Sequence, residues 1–174
     1  MFGLFRRRGS EDVVARLHDA VVERSRDPAF YGDDALPDTV EGRFESLALH
    51  ALLVLRRLRQ LPDPAADVGQ DFVDRVFAHL EIALRELGVG DFGVPKRMKK
   101  IAGAFYDRTR LYDPLLDARD AEALAKEVAF HLGLEPDRLG SLASYAVASE
   151  AVLSELDLDA ILEGPRFAAH EGVR

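Results

Sequence analysis

The sequence predicts an all-α protein, a single-domain bundle of six or seven helices around one long hydrophobic helix. Three observations carry this expectation. Apolar residues recur at spacings of three and four in one segment after another. Pro, Gly and Asp cluster between those segments. The strict alternation of a half-buried strand is almost absent. At 174 residues the chain is most simply one domain, long enough to bury a real core. It divides into a flexible basic and apolar N-terminus (1–9), a helical domain (10–163) and a C-terminal tail (164–174).

Taken in order, Ser10 can cap a first helix running to about Ser25, with Val13, Val14, Leu17, Val21 and Val22 on one side. "RDPAFYGDDALPD" is a turn-rich loop carrying Phe30 and Tyr31. Asp38 with Glu41 has capping-box spacing and opens a long helix to about Gln60. Phe44, Leu47, Ala51, Leu55 and Leu58 form its stripe, and Leu49, Leu52, Leu53 and Val54 widen that stripe almost all round. Such a helix belongs at the centre of a bundle. "LPDPAAD" breaks the chain. Val68 to Leu87 follows, with Val68, Phe72, Val76, Phe77, Leu80, Leu84 and Leu87 as one apolar face. Gly88 is placed to stop this helix, and Pro95 suits the first position of the next. That helix runs to about Tyr112 with Val94, Met98, Ile101, Phe105 and Tyr112 inward. Asp117–Leu132 and Asp137–Leu156 make two more, and Leu158–Leu162 a short last one, before Gly164 and Pro165 begin the tail.

The net charge of −8 is unevenly placed. From Asp113 onward thirteen Asp/Glu face five Lys/Arg, so the first 112 residues are neutral and the C-terminal third is acidic. Phosphates would be repelled there, which argues against DNA as a partner. The segment Lys96–Arg110 runs the other way, with six basic residues and only Asp107 against them. No cysteine is present, which excludes thiolate metal sites and disulfides. The longest apolar run, "LALHALLVL", is far short of the roughly 20 residues of a membrane span. A cytoplasmic protein is expected. Phe2, Leu4 and Phe5 followed by Arg6, Arg7 and Arg8 are a candidate contact with an anionic membrane surface, beside the plainer reading of a solvated start.

Gly88, Gly90 and Gly93 spell G-x-G-x-x-G, the spacing of a dinucleotide-binding turn. That fingerprint needs a strand before it and a βαβ unit around it. Here an amphipathic helix precedes it, so the glycines read as a helix stop and a tight connection. His18, His50, His79, His131 and His170 are scattered, one per predicted element. Only Glu127 and His131 share a helix face, two ligands short of a structural zinc site. No hydrolase elbow or phosphate loop is present. No catalytic residue, cofactor or metal is expected.

Lys96, Arg97, Lys99 and Lys100 crowd the start of a helix, where the dipole disfavours each cation by a few tenths of a kcal/mol. Phe92 precedes them and Tyr106 lies on the flank of the same helix. Rings beside cations make a surface that takes apolar and anionic groups together. This suits a peptide or protein partner, or a membrane-proximal one.

Two blocks carry a resemblance. "PAFYGDDALPDTVEGRFESLALHALLVLRRL" (Pro28–Leu58) and "LGVGDFGVPKRMKKIAGAFYDRTRLYD" (Leu87–Asp113) resemble the ubiquinol–cytochrome c chaperone family, assembly factors for respiratory complex III. The start "MFGLFRRR" is similar to that of bacterial members. The resemblance implies a non-enzymatic helical chaperone whose partner is nascent or unassembled cytochrome b. Mitochondrial members also work with a small partner protein and at the ribosome. On this reading the client surface comprises Phe92, Lys96, Arg97, Lys99, Lys100 and Tyr106, and contact with the ribosome or the inner-membrane surface is a further expectation. Two alternatives differ in class. One is a ribosome- or RNA-associated helical protein using Arg56, Arg57 and Lys96–Arg110. The other is a cofactor-binding enzyme domain at Gly88–Gly93.

Overall fold

The computed structural model describes residues 2–170, and side chains from residue 11 onward. Seven α-helices follow one another: α1 (Phe2–Ser25), α2 (Val40–Gln60), α3 (Ala65–Glu86), α4 (Val94–Asp117), α5 (Ala121–Leu132), α6 (Gly140–Ser154) and α7 (Leu158–Glu163). Single 3-10 turns at Pro28–Phe30 and Pro136–Leu139 punctuate them. Among the described residues no strand forms; one isolated bridge joins Tyr31 and Leu36.

The helix boundaries are set by side chains at their ends. α2 is capped by Thr39, whose hydroxyl accepts from the Gly42 N–H at 3.2 Å. Asp38, the expected cap, instead pairs with Arg43 at 2.6 Å. Gly42 is obligatory here, because a Cβ would meet the Pro37 carbonyl oxygen at 2.0 Å. Asp120 and Asp157 cap α5 and α7 through the same kind of bond. At the other end of α3, Gly88 takes φ +81° and its N–H donates to the Arg85 carbonyl, while the Val89 N–H reaches back to Leu84.

Several boundaries differ from the sequence expectation: α3 begins three residues early, at Ala65, and α5 begins at Ala121 rather than Asp117. α1 begins at Phe2, so Ser10 lies inside it; no proline precedes Pro28, and Leu, Phe and Arg all accept helix. α4 continues past Tyr112 to Asp117 and carries Pro114 in its last turn. The expected helix from Asp137 is split, with a 3-10 turn to Leu139 before α6.

α2 is the centre. α1, α3, α4, α5 and α6 all pack against it. From Glu45 to Leu58 only Arg57 reaches water appreciably. Each buried leucine contributes about 1.5–3 kcal/mol of transfer free energy, so this one helix organises much of the core. Around it stand Leu17 and Val21 of α1, Phe72 and Val76 of α3, Phe105 and Tyr112 of α4, Leu124 and Val128 of α5, and Tyr145 and Leu153 of α6.

Burial all round forces α2 to bring polar groups inside, and each is matched by a neighbour. Glu45 is 1% exposed. It accepts from Arg108 Nη2 at 3.0 Å and from the Tyr112 hydroxyl, both on α4. Burial, and then the Glu45 charge, raises the Tyr112 hydroxyl far above the usual phenol value. Arg56 reaches Asp113 at 3.0 Å, Asp117 at 2.6 Å and Glu150 of α6 at 3.6 Å. His50 lies between the Ser46 carbonyl (2.7 Å from Nδ1) and the Tyr145 hydroxyl (2.9 Å from Nε2). The carbonyl can only accept, so Nδ1 carries the proton and Nε2 accepts from Tyr145. Burial holds His50 down to a pKa of about 4.

Two outcomes follow from these buried groups. Glu45→Ala strands the Arg108 guanidinium and the Tyr112 hydroxyl, and is expected to cost about 3–5 kcal/mol in urea unfolding. A cost below about 1 kcal/mol would contradict the pairing. The folded His50 resists protonation while the unfolded side chain takes a proton below pH 6.5. Stability should therefore fall as pH drops from about 6.5 to about 4, by roughly 3 kcal/mol from His50, and that contribution should level off below. His79, His131 and His170, also lowered by burial, add in the same direction. In the variant His50→Gln the slope of melting temperature over this window should flatten; an unchanged slope would assign it to other groups.

Candidate functional site

The junction between α3 and α4 is a hydrogen-bonded turn built on glycine. The Gly93 N–H donates to the Gly90 carbonyl at 2.7 Å, and the Val94 N–H to the same carbonyl at 3.2 Å. A Cβ on Gly93 would press Val89 and the Gly90 carbonyl at 3.2 and 3.3 Å. Because the turn joins two helices and no strand feeds it, the G-x-G-x-x-G spacing serves chain reversal here rather than a βαβ crossover. Pro95 occupies the second position of α4, and no acidic side chain stands in its first turn.

The faces of α4 separate cleanly. Val94 and Phe105 are buried, and Met98 and Ile101 are half-buried, at spacings of three and four. Lys96, Arg97, Lys99 and Lys100 are all exposed. None of the four makes an ion pair among the described residues, whereas the nearby arginines do. Arg85 holds Glu81 and Asp91, Arg108 holds Glu45, and Arg110 holds Asp107. Phe92 stands entirely in solvent at 103% relative exposure. Tyr106 is 56% exposed on the flank, with its ring 6.0 Å from Phe77 of α3.

Two further apolar side chains, Ile82 on α3 and Leu87 at its end, are more than half exposed. Leu87 was expected on the inward face. It is instead the residue after the last turn, where the chain leaves the helical path and its side chain leaves the apolar stripe. Ile82 falls off that stripe and carries no motif that would single it out.

The arginines expected to reach nucleic acid are otherwise engaged. Arg56 is 6% exposed within its three carboxylates. Arg57 donates to the Leu156 carbonyl at 2.7 Å. Arg108 is committed to Glu45. The side chains of Phe2, Leu4, Phe5, Arg6, Arg7 and Arg8, the candidate membrane contact, lie outside the described residues.

Histidines that are scattered along the chain meet in the fold. His18 and His79 pack ring to ring at 5.2 Å, between α1 and α3. His50 and His170 share Phe30 and Tyr145 as neighbours. His131 Nε2 lies 3.3 Å from Glu127 Oε1, off the line of a hydrogen bond. Among the described residues no three His, Asp or Glu gather closely enough to hold a metal ion, and no helix is long and apolar enough to cross a membrane.

Comparison with known proteins places this architecture. A family model described as ubiquinol-cytochrome C chaperone matches residues 33–167, which span α2 to α7 and the first four residues of the tail. A search of the curated proteins finds no match. Among solved structures, the Cbp3 homolog from Brucella abortus is similar over 99% of each chain, with 34% sequence identity and a TM-score of 0.84. With a helical fold shared along its whole length and a family match over most of it, the chain belongs to the ubiquinol–cytochrome c chaperone family.

Proposed function

We propose that this chain is a non-enzymatic assembly chaperone that binds newly made cytochrome b and promotes its entry into the ubiquinol–cytochrome c reductase. The client rests on the α3–α4 junction, against Phe92, Lys96, Arg97, Lys99, Lys100 and Tyr106. One observation carries the choice of surface: a fully exposed phenylalanine beside four unpaired cations, in a chain whose net charge is −8. Exposed aromatic side chains and cations together favour an interface over a merely solvated face. The rings offer apolar contact to a membrane-protein segment not yet in place, and the cations hold its carboxylates or carbonyl oxygens. Ile82 and Leu87, on the helix that leads into the junction, are exposed as well.

The chaperone needs no cofactor for this task and works from the cytoplasmic side. The N-terminal residues Phe2, Leu4, Phe5, Arg6, Arg7 and Arg8 are its proposed contact with the inner membrane. With Arg56, Arg57 and Arg108 engaged inside the fold, the RNA-binding reading keeps only the four junction cations and Arg110, which is paired at the surface with Asp107.

The test separates binding from folding. Replacing Lys96, Arg97, Lys99 and Lys100 by Gln removes mutual repulsion at a helix N-terminus, so the melting temperature should stay unchanged or rise slightly. The same variant should capture cytochrome b segments more weakly, and cells carrying it should assemble less complex III. Normal assembly would remove these four residues from the client surface.

A further inference from the structure

The residues after α7 leave it at Gly164 and Pro165 and run without regular secondary structure to His170. They are anchored as a bound peptide is. Both backbone groups of Ala168 are held by side chains of the helical body: its N–H donates to Ser149 Oγ at 3.0 Å and its carbonyl accepts from Arg24 Nη2 at 3.2 Å. Two rings are seated on either side. Phe167 lies edge-on against His50 at 5.2 Å. His170 stacks on Phe30 at 4.5 Å and 16°, and its Nε2 donates to the Ala29 carbonyl at 3.1 Å.

Several polar groups of the groove beneath have partners of their own. His50 is partnered by Ser46 and Tyr145. Tyr145 also accepts from Arg24 Nε at 3.1 Å, and Arg24 Nη1 holds Asp27 at 2.8 Å. The Arg24 guanidinium lies over Phe30 and Tyr145, 5.0 and 5.2 Å from their ring centres. Withdrawing the tail frees one Arg24 donor, the Ser149 hydroxyl and the Ala29 carbonyl and uncovers the Phe30 ring, while the hydrogen bonds among Arg24, Asp27, His50 and Tyr145 remain. Backbone anchors flanked by side-chain seats are how extended peptides are recognised, the anchors giving affinity and the seats giving specificity.

We propose that the groove between α1, the Phe30 turn and α6 is a peptide-binding site that the chain fills with its own C-terminal segment. An extended segment of another protein, bearing an aromatic ring three residues before an imidazole or a second aromatic ring, displaces that segment and takes its place. This site is separate from the α3–α4 junction and stands or falls independently of it.

The test uses the full chain and a labelled synthetic peptide of residues 164–174. In a full-length variant with Phe167→Ser and His170→Ser, the two ring seats empty. This variant should keep its helical circular dichroism and bind the added peptide at least tenfold more tightly than the parent chain. Adding Ser149→Ala should then lower that affinity. Equal affinity for parent and variant, or no saturable binding by either, overturns the proposal. So does an affinity indifferent to Ser149→Ala. A double variant that fails to fold overturns it as well, because a displaceable segment cannot be required for the fold.

Discussion

A single carboxylate decides how this bundle is assembled. Glu45 lies on the most deeply buried helix, where an unpaired charge would cost several kcal/mol. Arg108 and Tyr112 of α4 turn the same helical face to it. About one and a half turns further along α4, Asp113 and Asp117 meet Arg56 of α2. Two charged contacts of opposite polarity thus bridge the same pair of helices. Sliding or rotating α4 would break both, which fixes its rotation about its axis. That rotation sends Val94 and Phe105 inward and leaves Lys96, Lys99 and Lys100 facing water. The exposed cationic face is a consequence of the buried pairing.

Most of the fold was legible in the sequence because burial leaves a period. The near-continuous apolar surface of α2 announced a central helix, and α2 is packed on by five others. The glycine stop after α3 was legible because Gly88 needs a positive φ that other residues resist. What could not be read depends on partners distant in sequence. Asp38 and Thr39 both have the chemistry of a cap, and only the position of Arg43 decides between them. Pro114 suggests an earlier end to α4, yet the tertiary pairing of Asp113 and Asp117 holds the helix through it. The candidate surface was legible in part. The alternation of apolar and basic positions along α4 placed the cations outside, and the exposure of Leu87 followed only from the geometry of the turn.

Membership of the chaperone family bears on why such a surface persists. Four like charges at a helix N-terminus give the isolated fold nothing, and the helix has no acidic residue there to relieve them. A protein selected for stability alone would place Asp or Glu in that turn, as α5 does with Glu122 and α7 with Asp159. Phe92 is similarly unhelpful to the monomer, since it makes no use of the core. Local rules broken without a compensating contact inside the fold are what the proposed client surface would account for. The C-terminal segment shows the reverse pattern, in which a stretch with no regular structure is closely seated on side chains of the helical body.

Site-specific crosslinking in the cell identifies the surface that meets the proposed client. A photoreactive amino acid placed at Phe92, and in a second strain at Phe130, compares two phenylalanines that are both exposed, at 103% and 79%. The first lies at the basic junction and the second on α5, in the acidic third of the chain. Crosslinking to unassembled cytochrome b from position 92 and none from position 130 is the predicted result. Crosslinking from position 130 with none from position 92 would contradict a client site at the junction and move the client to the opposite charge.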